Sequence, residues 1–296
     1  MTTTAIVGLG SMGYGMAQSL LRAGMRTHGY DISPERTAQF QAEGGAAGTL
    51  GDVAGTLDAL VVVVLNAAQT EDVLFGANGV VAGLRPGAIV LSCATVPPAF
   101  ARDMEARCAT SGVLYLDAPI SGGAAKAASG QLSIMASGTP TAFAAARPVL
   151  DAMAETVFEL GDAAGAGSAM KAVNQLLAGV HIAAMAEALT FGMTQGVTPA
   201  AFVEVISKCA GTSWMLENRA PHIVDGDYAP RSSVNIWPKD LGIVLDIARD
   251  AGFEAPITDT ALAQFKAAAE MGLGGVDDAA VAKVYAKQAG LKLPGE

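Results

Sequence analysis

Up to about residue 162, short β-branched apolar runs alternate with segments whose apolar residues recur at helical spacing. That is the pattern of a parallel sheet covered by crossover helices. Strands are predicted at 5–8, 26–30, 59–65, 88–91, 113–116, 132–136 and 156–159, with helices between most of them. The solid run Leu60-Val61-Val62-Val63-Val64 lacks alternation, which predicts a strand buried on both faces and central in the sheet. Beyond the turn-rich Gly161-Asp162-Ala163-Ala164-Gly165-Ala166-Gly167, strand signals nearly vanish and helical periodicity continues to the C-terminus. The expected fold class is therefore α/β, with a doubly wound sheet domain over 1–162 and an all-α domain over 163–296.

The second domain is entered through a proline-free segment, 168 to about 194, rich in Ala, Leu and Met. It predicts an unusually long helix of about 40 Å at ~1.5 Å per residue. Further helices are expected at 199–208, 234–251, 257–271 and 278–286, with Thr198-Pro199 and Ala255-Pro256 marking two of the starts. No internal repeat and no disordered linker is visible.

Composition narrows the function classes. With 51% hydrophobic and 16% charged residues in 296, the chain is long enough for two cores and too apolar for disorder. Lys+Arg 18 against Asp+Glu 28 leaves a net charge of −10, so no broad basic face is available for nucleic acid. Cys93, Cys108 and Cys209 are too few and scattered for a disulfide framework, and a reducing cytoplasm fits them. The N-terminus turns to strand at once, so no export signal is expected, and the apolar run 59–65 is far short of the ~20 residues that cross a bilayer.

Gly8-Leu9-Gly10-Ser11-Met12-Gly13 matches G-x-G-x-x-G between a predicted strand and the helical run 14–23. In that setting Gly8 permits the tight turn, Gly10 lets the backbone approach a pyrophosphate, and Gly13 lets the helix pack on the strand. The helix N-terminus then faces the phosphates, as in Rossmann-type sheets. Asp31, 23 residues beyond Gly8 and after the second strand, can accept from the adenosine ribose hydroxyls. A carboxylate there opposes a 2′-phosphate, so NAD is expected over NADP; Arg36 is the one nearby basic residue.

Asp117-Ala118-Pro119-Ile120-Ser121-Gly122-Gly123 follows a strand end and can present several backbone N–H groups to a carboxylate. On its residues alone it reads equally as a tight turn. Lys171 is expected in the first turn of the long helix, directly after the glycine-rich junction, with Asn174 and Gln175 three and four residues on along the same face. Most helix lysines are solvated surface charges. A lysine in this polar cluster can also serve as acid or base, once its ordinary pKa of about 10.4 is brought toward roughly 7–8 by desolvation or nearby positive charge.

Taken together, these segments, with Gly165-x-Gly167-x-x-x-Lys171 and Lys239-Asp240-Leu241, resemble the β-hydroxyacid dehydrogenase family, in order and over nearly the whole chain. The resemblance implies Lys171 as catalytic lysine and Ser121, Gly122 and Gly123 as the loop holding the substrate carboxylate. Asn174 and Gln175 fall on the substrate side; the family usually has two asparagines there. Leu9, Ser11 and Met12 belong to the cofactor loop, Thr95 matches a threonine near the nicotinamide, and Lys239 matches a lysine closing over the cofactor. Leu65-Asn66 stands where many relatives have Leu-Pro beside the cofactor.

The reaction so implied is NAD-dependent oxidation of a short hydroxy acid. The stretches 175–183, 213–219 and 224–228 resemble those of family members that act on L-threonate, which implies oxidation of L-threonate to 2-oxo-tetronate. 3-Hydroxyisobutyrate oxidation or tartronate-semialdehyde reduction is the alternative within the family, and a non-catalytic dinucleotide sensor the alternative outside it. The expected partners are the small-molecule hydroxy acid and further copies of the chain, as a homodimer or homotetramer, with neither nucleic acid nor membrane. His28, His181 and His222 lack metal-ligand spacing and read as structural or solvated groups, so no metal is expected. Trp214, Arg219 and Asn235 are candidates for the substrate end, whereas Met12, Met16, Met170, Met185 and Cys93 read as core filler.

Overall fold

A computed structural model describes all residues from Met1 to Glu296. Its contacts divide the chain into two compact units, Met1–Lys171 and Ala172–Glu296. In the first unit, strands β1 (Thr3–Val7), β2 (Arg26–Tyr30), β3 (Ala59–Val62), β4 (Ile89–Ser92) and β5 (Leu114–Asp117) form one sheet in the order β2-β1-β3-β4-β5. Every neighbouring pair is parallel. Helices α1 (Gly13–Arg22), α2 (Pro34–Ala42), α3 (Ala67–Phe75) and α4 (Pro98–Thr110) make the crossovers.

The strand sequences explain the layering. Successive side chains along a strand point to opposite faces, so Ile6, Val61 and Leu91 enter one core while Ala5, Leu60, Val62 and Val90 enter the other. All four residues of β3 are buried, and β3 is the middle strand, as the unbroken apolar run predicts. The strand stops at Val62 rather than at residue 65, because the chain leaves the sheet at its carboxyl edge and Leu65 is 64% exposed.

Residues 132–136 and 154–159 are strands, yet they do not extend the main sheet. With β6 (Ile120–Ser121), β7 (Leu132–Ala136) and β8 (Ala154–Glu159) form a separate three-stranded sheet in which β6 and β7 are antiparallel. A bridge between Asp117 and Ser137 links the end of β5 to the end of β7. Helices α5 (Gly123–Ser129) and α6 (Pro140–Met153) connect these strands. Two residues of β6 are too few to carry a readable alternation, so the sequence pattern did not reveal it.

Helix α7 (Ala166–Thr194) has 29 residues, about 43 Å at ~1.5 Å per residue. By length and apolar composition it could cross a bilayer, a property the sequence reading assigned to no segment. Ile182, Ala183, Met185, Ala186 and Leu189 are instead buried in the core of the second unit. That core also takes residues from α8 (Pro199–Ile206), α9 (Trp214–Asp225), α10 (Ile236–Asp250), α11 (Pro256–Ala268) and α12 (Ala282–Gln288). The contact division falls inside α7 because its first two turns belong with the sheet unit. Helix α9 was not foreseen: Pro221 in its interior masks the periodicity, although Ser213 caps its start by accepting from the Leu216 N–H at 3.1 Å.

Candidate active site

Register decides where the chemistry gathers. Val7 pairs with Val62, Val62 with Ser92, and Ser92 with Asp117, so four adjacent strands end at one level. The loops that follow carry residues 8–13, 65–66, Thr95 and 121–123 to the same carboxyl edge, and β2 adds Asp31. The strand order reverses between β1 and β3, which is where doubly wound sheets bind their ligands.

The β1–α1 loop has the shape its glycines require. Gly8 has φ +99°, and a Cβ there would strike the Val63 carbonyl; a Cβ on Gly13 would strike the carbonyl of Gly8. Around Gly10 nothing lies within 4 Å of the missing Cβ, so the backbone is open to a ligand. Helix α1 has no side-chain cap and no acidic residue in its first turn, leaving its positive end for an anion. The Asp31 carboxylate accepts from the Leu9 N–H at 2.7 Å and from the Ser33 N–H at 2.9 Å. Each carboxylate oxygen keeps a second acceptor position, so ribose hydroxyls remain accommodated. Arg36 donates to the Leu9 carbonyl at 2.8 Å, a clamp on the loop that sequence reading missed. These residues fit a dinucleotide.

Asn66 caps α3 by accepting from the Gln69 N–H at 2.9 Å, and the Gln69 side chain accepts from the Leu65 N–H at 2.9 Å. The spacing Asn66-x-x-Gln69 is a capping-box signature that could have announced this. Ser11 and Gly10 are exposed, Met12 is half-buried, and Thr95 is half-buried in the loop after β4. Cys93 is buried, and burial pushes its thiol up to about 12, so it remains a protonated packing group.

The 117–123 segment and Lys171 come together within the first unit. Gly122 and Gly123 have φ +134° and +76°, successive values that side-chain-bearing residues rarely adopt and that expose the backbone between β6 and α5. Lys171 is buried and its Nζ donates to the Ile120 carbonyl at 2.9 Å, so the ammonium lies at the start of the 121–123 loop. Its long apolar stem is covered, while its head is held beside the predicted carboxylate site.

In the second unit, Asn174 donates from Nδ2 to the Gln175 Oε1 at 3.0 Å, and the Gln175 amide donates to the Asp240 carboxylate. Lys239 Nζ lies 2.6 Å from the other oxygen of Asp240, which is almost fully buried. Asp240 was visible in the Lys239-Asp240-Leu241 motif, but its partner stands 65 residues away and no local pattern reveals the pair. Arg219 Nε donates to buried Asp278 at 2.6 Å, and Trp237 Nε1 donates to the same carboxylate at 3.0 Å. Arg219 therefore serves the helical core. Trp214 is 62% exposed, and Met170 is 45% exposed rather than core filler. His28 is buried, which lowers its pKa, and His222 pairs with Asp277 at 2.9 Å.

Residues 3–161 match the NAD-binding domain model of 6-phosphogluconate dehydrogenase, and residues 165–285 match the NAD-binding model of NADP-dependent 3-hydroxyisobutyrate dehydrogenase. The L-threonate dehydrogenase of Cupriavidus necator is 50% identical over 98% of this chain and 97% of its own. The 3-hydroxyisobutyrate dehydrogenase of Pseudomonas aeruginosa is 34% identical over 96% and 99%. A solved 3-hydroxyisobutyrate dehydrogenase from Salmonella typhimurium superposes with a TM-score of 0.90 at 47% identity, covering 96% of this chain and all of that one.

The chain belongs to the β-hydroxyacid dehydrogenase family. As a family member it is a dehydrogenase that uses a nicotinamide dinucleotide and acts on a CH–OH group of a small hydroxy acid.

The contact between Asp31 and the Leu9 N–H yields a test of the cofactor end. Asp31→Ala removes the anchor of the fingerprint loop and the carboxylate expected to accept from the ribose. The loss of one charge-assisted hydrogen bond, about 1.5–3 kcal/mol, should raise the Kd for NAD by roughly 10- to 100-fold. Because the repulsion of a 2′-phosphate also disappears, the NAD-to-NADP ratio of kcat/KM should narrow. Fluorescence titration and initial rates with both cofactors measure this, and an unchanged ratio, or a wild type that prefers NADP, removes the role of Asp31.

Proposed function

We propose that this family member oxidises L-threonate to 2-oxo-tetronate with NAD as cofactor. The observation that carries the reading is the Lys171 Nζ held at the Ile120 carbonyl, one residue before the Ser121-Gly122-Gly123 loop. That loop binds the substrate carboxylate through its backbone N–H groups and the Ser121 hydroxyl. Lys171, in its neutral form, accepts the proton of the hydroxyl on the adjacent carbon and returns it to solvent after turnover. The nicotinamide, when bound, supplies the hydride acceptor. The hydroxyl proton and the hydride thus leave the same substrate, and a ketone remains.

Gly8, Leu9, Gly10, Ser11, Met12, Gly13 and Asp31 hold the dinucleotide, with Leu65, Asn66, Thr95 and Lys239 in the cofactor roles that the family motifs imply. Asn174 is the polar contact for the substrate chain, one turn beyond Lys171, and Gln175 holds it in place. Residues 1–162 serve as the dinucleotide-binding domain and 163–296 as the substrate and dimerisation domain. L-threonate is favoured over 3-hydroxyisobutyrate by the identity to the L-threonate dehydrogenase, 50%, against 47% for the solved Salmonella typhimurium 3-hydroxyisobutyrate dehydrogenase and 34% for the Pseudomonas aeruginosa one. Polar Asn174 favours it too, since a substrate with fewer hydroxyls gives that amide less to pair with. A retained, buried Lys171 argues against a non-catalytic sensor.

The chain works as a homodimer or homotetramer. Val173, Leu177 and Phe191, spaced by four and fourteen residues on α7, are 54%, 49% and 65% exposed. A stripe at heptad-compatible spacing on a long helix suits a second copy of the same helix.

Three outcomes are expected. Lys171→Ala should lower turnover by at least about 100-fold with NAD affinity nearly intact, and Lys171→Arg should be equally poor because a guanidinium does not release its proton. A folded, NAD-binding Lys171→Ala enzyme with normal turnover removes the acid/base assignment. In a panel followed at the NADH absorbance, L-threonate should exceed 3-hydroxyisobutyrate, glycerate and D-threonate in kcat/KM by roughly 100-fold or more. Preference for 3-hydroxyisobutyrate returns the chain to that activity, and cofactor binding without turnover of any hydroxy acid favours the sensor. Light scattering on the purified chain should give two or four times 29.8 kDa, and a monomer refutes the assembly.

A further inference from the structure

The loop and the lysine account for residues 120–123 and 171, but leave the most heavily bonded carboxylate of the first unit without a role. Asp117, the last residue of β5, is completely buried. Its Oδ2 accepts from the Gly165 N–H at 3.0 Å, the Ser168 N–H at 2.8 Å and the Ser137 hydroxyl at 3.2 Å. Its Oδ1 accepts from the Ser168 hydroxyl at 2.6 Å. The Ser137 hydroxyl oxygen in turn accepts from the Gly167 N–H at 2.9 Å. Three backbone donors at the start of α7, which have no partner inside the helix, are thus satisfied by two side chains at the ends of β5 and β7.

Burying a carboxylate is costly, and burial pushes this one above its ordinary range against the pull of its four hydrogen bonds. A neutral cap would satisfy a helix start at lower cost. What the carboxylate adds is position. Lys171 lies one turn beyond Ser168, and Ile120 lies three residues beyond Asp117. Helix α7 is therefore pinned twice to one short strip of chain, at Asp117 through Ser168 and at Ile120 through Lys171. The approach is so close that a Cβ on Gly167 would collide with the carbonyl oxygens of Met135 and Asp117.

We propose that Asp117 is a positioning residue for catalysis. Its carboxylate fixes the height and rotation of the first two turns of α7, and so sets where the Lys171 Nζ stands over the loop that begins at Ser121. This rests on the reading of Lys171 as acid/base. Misplacing a reacting group by about 1 Å can cost roughly 100-fold. In Asp117→Asn only one acceptor oxygen remains, and the amide turns N–H groups toward donors that the carboxylate had satisfied. Ser168→Ala removes a single bond and leaves the backbone cap, while Ser168→Thr keeps the hydroxyl.

The test is steady-state kinetics on the full chain with L-threonate, or with the hydroxy acid that the wild type oxidises fastest. Thermal midpoints and NAD Kd values serve as folding controls, and Lys171→Ala is run in parallel. Asp117→Asn should lose about 100-fold and Ser168→Ala about 10-fold in kcat, with KM within about threefold and NAD affinity unchanged. Ser168→Thr should return to near the wild-type kcat. If Asp117→Asn does not fold, the Ser168 pair decides alone. Wild-type kcat in Asp117→Asn or in Ser168→Ala, a loss confined to KM, or a Ser168→Thr no better than Ser168→Ala overturns the proposal. A fully active Lys171→Ala removes the lysine reading and this proposal with it. An inactive Lys171→Ala beside active Asp117 and Ser168 variants overturns the positioning role alone.

Discussion

The sheet unit depends on one constraint: its central parallel strands run in register and stop at one level. Parallel pairing places Val7, Val62, Ser92 and Asp117 side by side. Strands buried on both faces tolerate little slippage, because a one-residue shift would exchange the two side-chain sets that fill the opposing cores. Leu60 and Val61, each completely buried in a different core, hold β3 to its register from both sides. Deleting either side chain's packing would cost about 2–5 kcal/mol in a site of this kind. The functional loops inherit that precision, since each starts within a residue or two of a locked strand end.

Buried charge is the second expense in the fold, and it is met differently in each place. Asp278 is pushed above the usual carboxylate range by burial, opposed by the Arg219 guanidinium and the Trp237 indole N–H. It joins α9 and α10 to the turn at residues 277–278, and its partners are all internal. Asp240 shares its carboxylate between Lys239 and Gln175, and so ties the Lys239-Asp240-Leu241 segment to the amides that follow the lysine on α7. Breaking such a pair by removing one member leaves an uncompensated buried charge, which is dearer than the pair was worth. That asymmetry explains how a chain with few charged residues still buries several of them.

Much of this was legible from residue order, because strands and glycine turns are local. The apolar run at 60–64 announced the central strand, and Gly8-x-Gly10-x-x-Gly13 announced a loop whose missing Cβ atoms the structure either needs or leaves open. The separate small sheet was not legible, since pairing of 120–121 with 133–134 depends on distant partners rather than on pattern. Pro221 hid α9, and the capping role of Asn66 was overlooked although its Gln69 partner stands three residues on. The links Asp117–Ser168 and Gln175–Asp240 span 51 and 65 residues. Sequence names such residues within a motif but does not say what they hold.

Two helix starts in the sheet unit, those of α1 and α7, show why similar glycine spacing leads to different chemistry. A Gly-x-Gly step precedes α1 and spans the start of α7, and in both the glycines admit backbone where a Cβ would collide, as at Gly13 and Gly167. At α1 the first turn has neither a side-chain cap nor an acidic residue, so its unpaired N–H groups and positive end face outward to an anion. At α7 the equivalent donors are already taken by Asp117 and Ser137. An exogenous phosphate would find those three donors taken and would meet a buried carboxylate. One helix start is therefore left as a ligand site, while the other is closed from within and carries the lysine in its second turn.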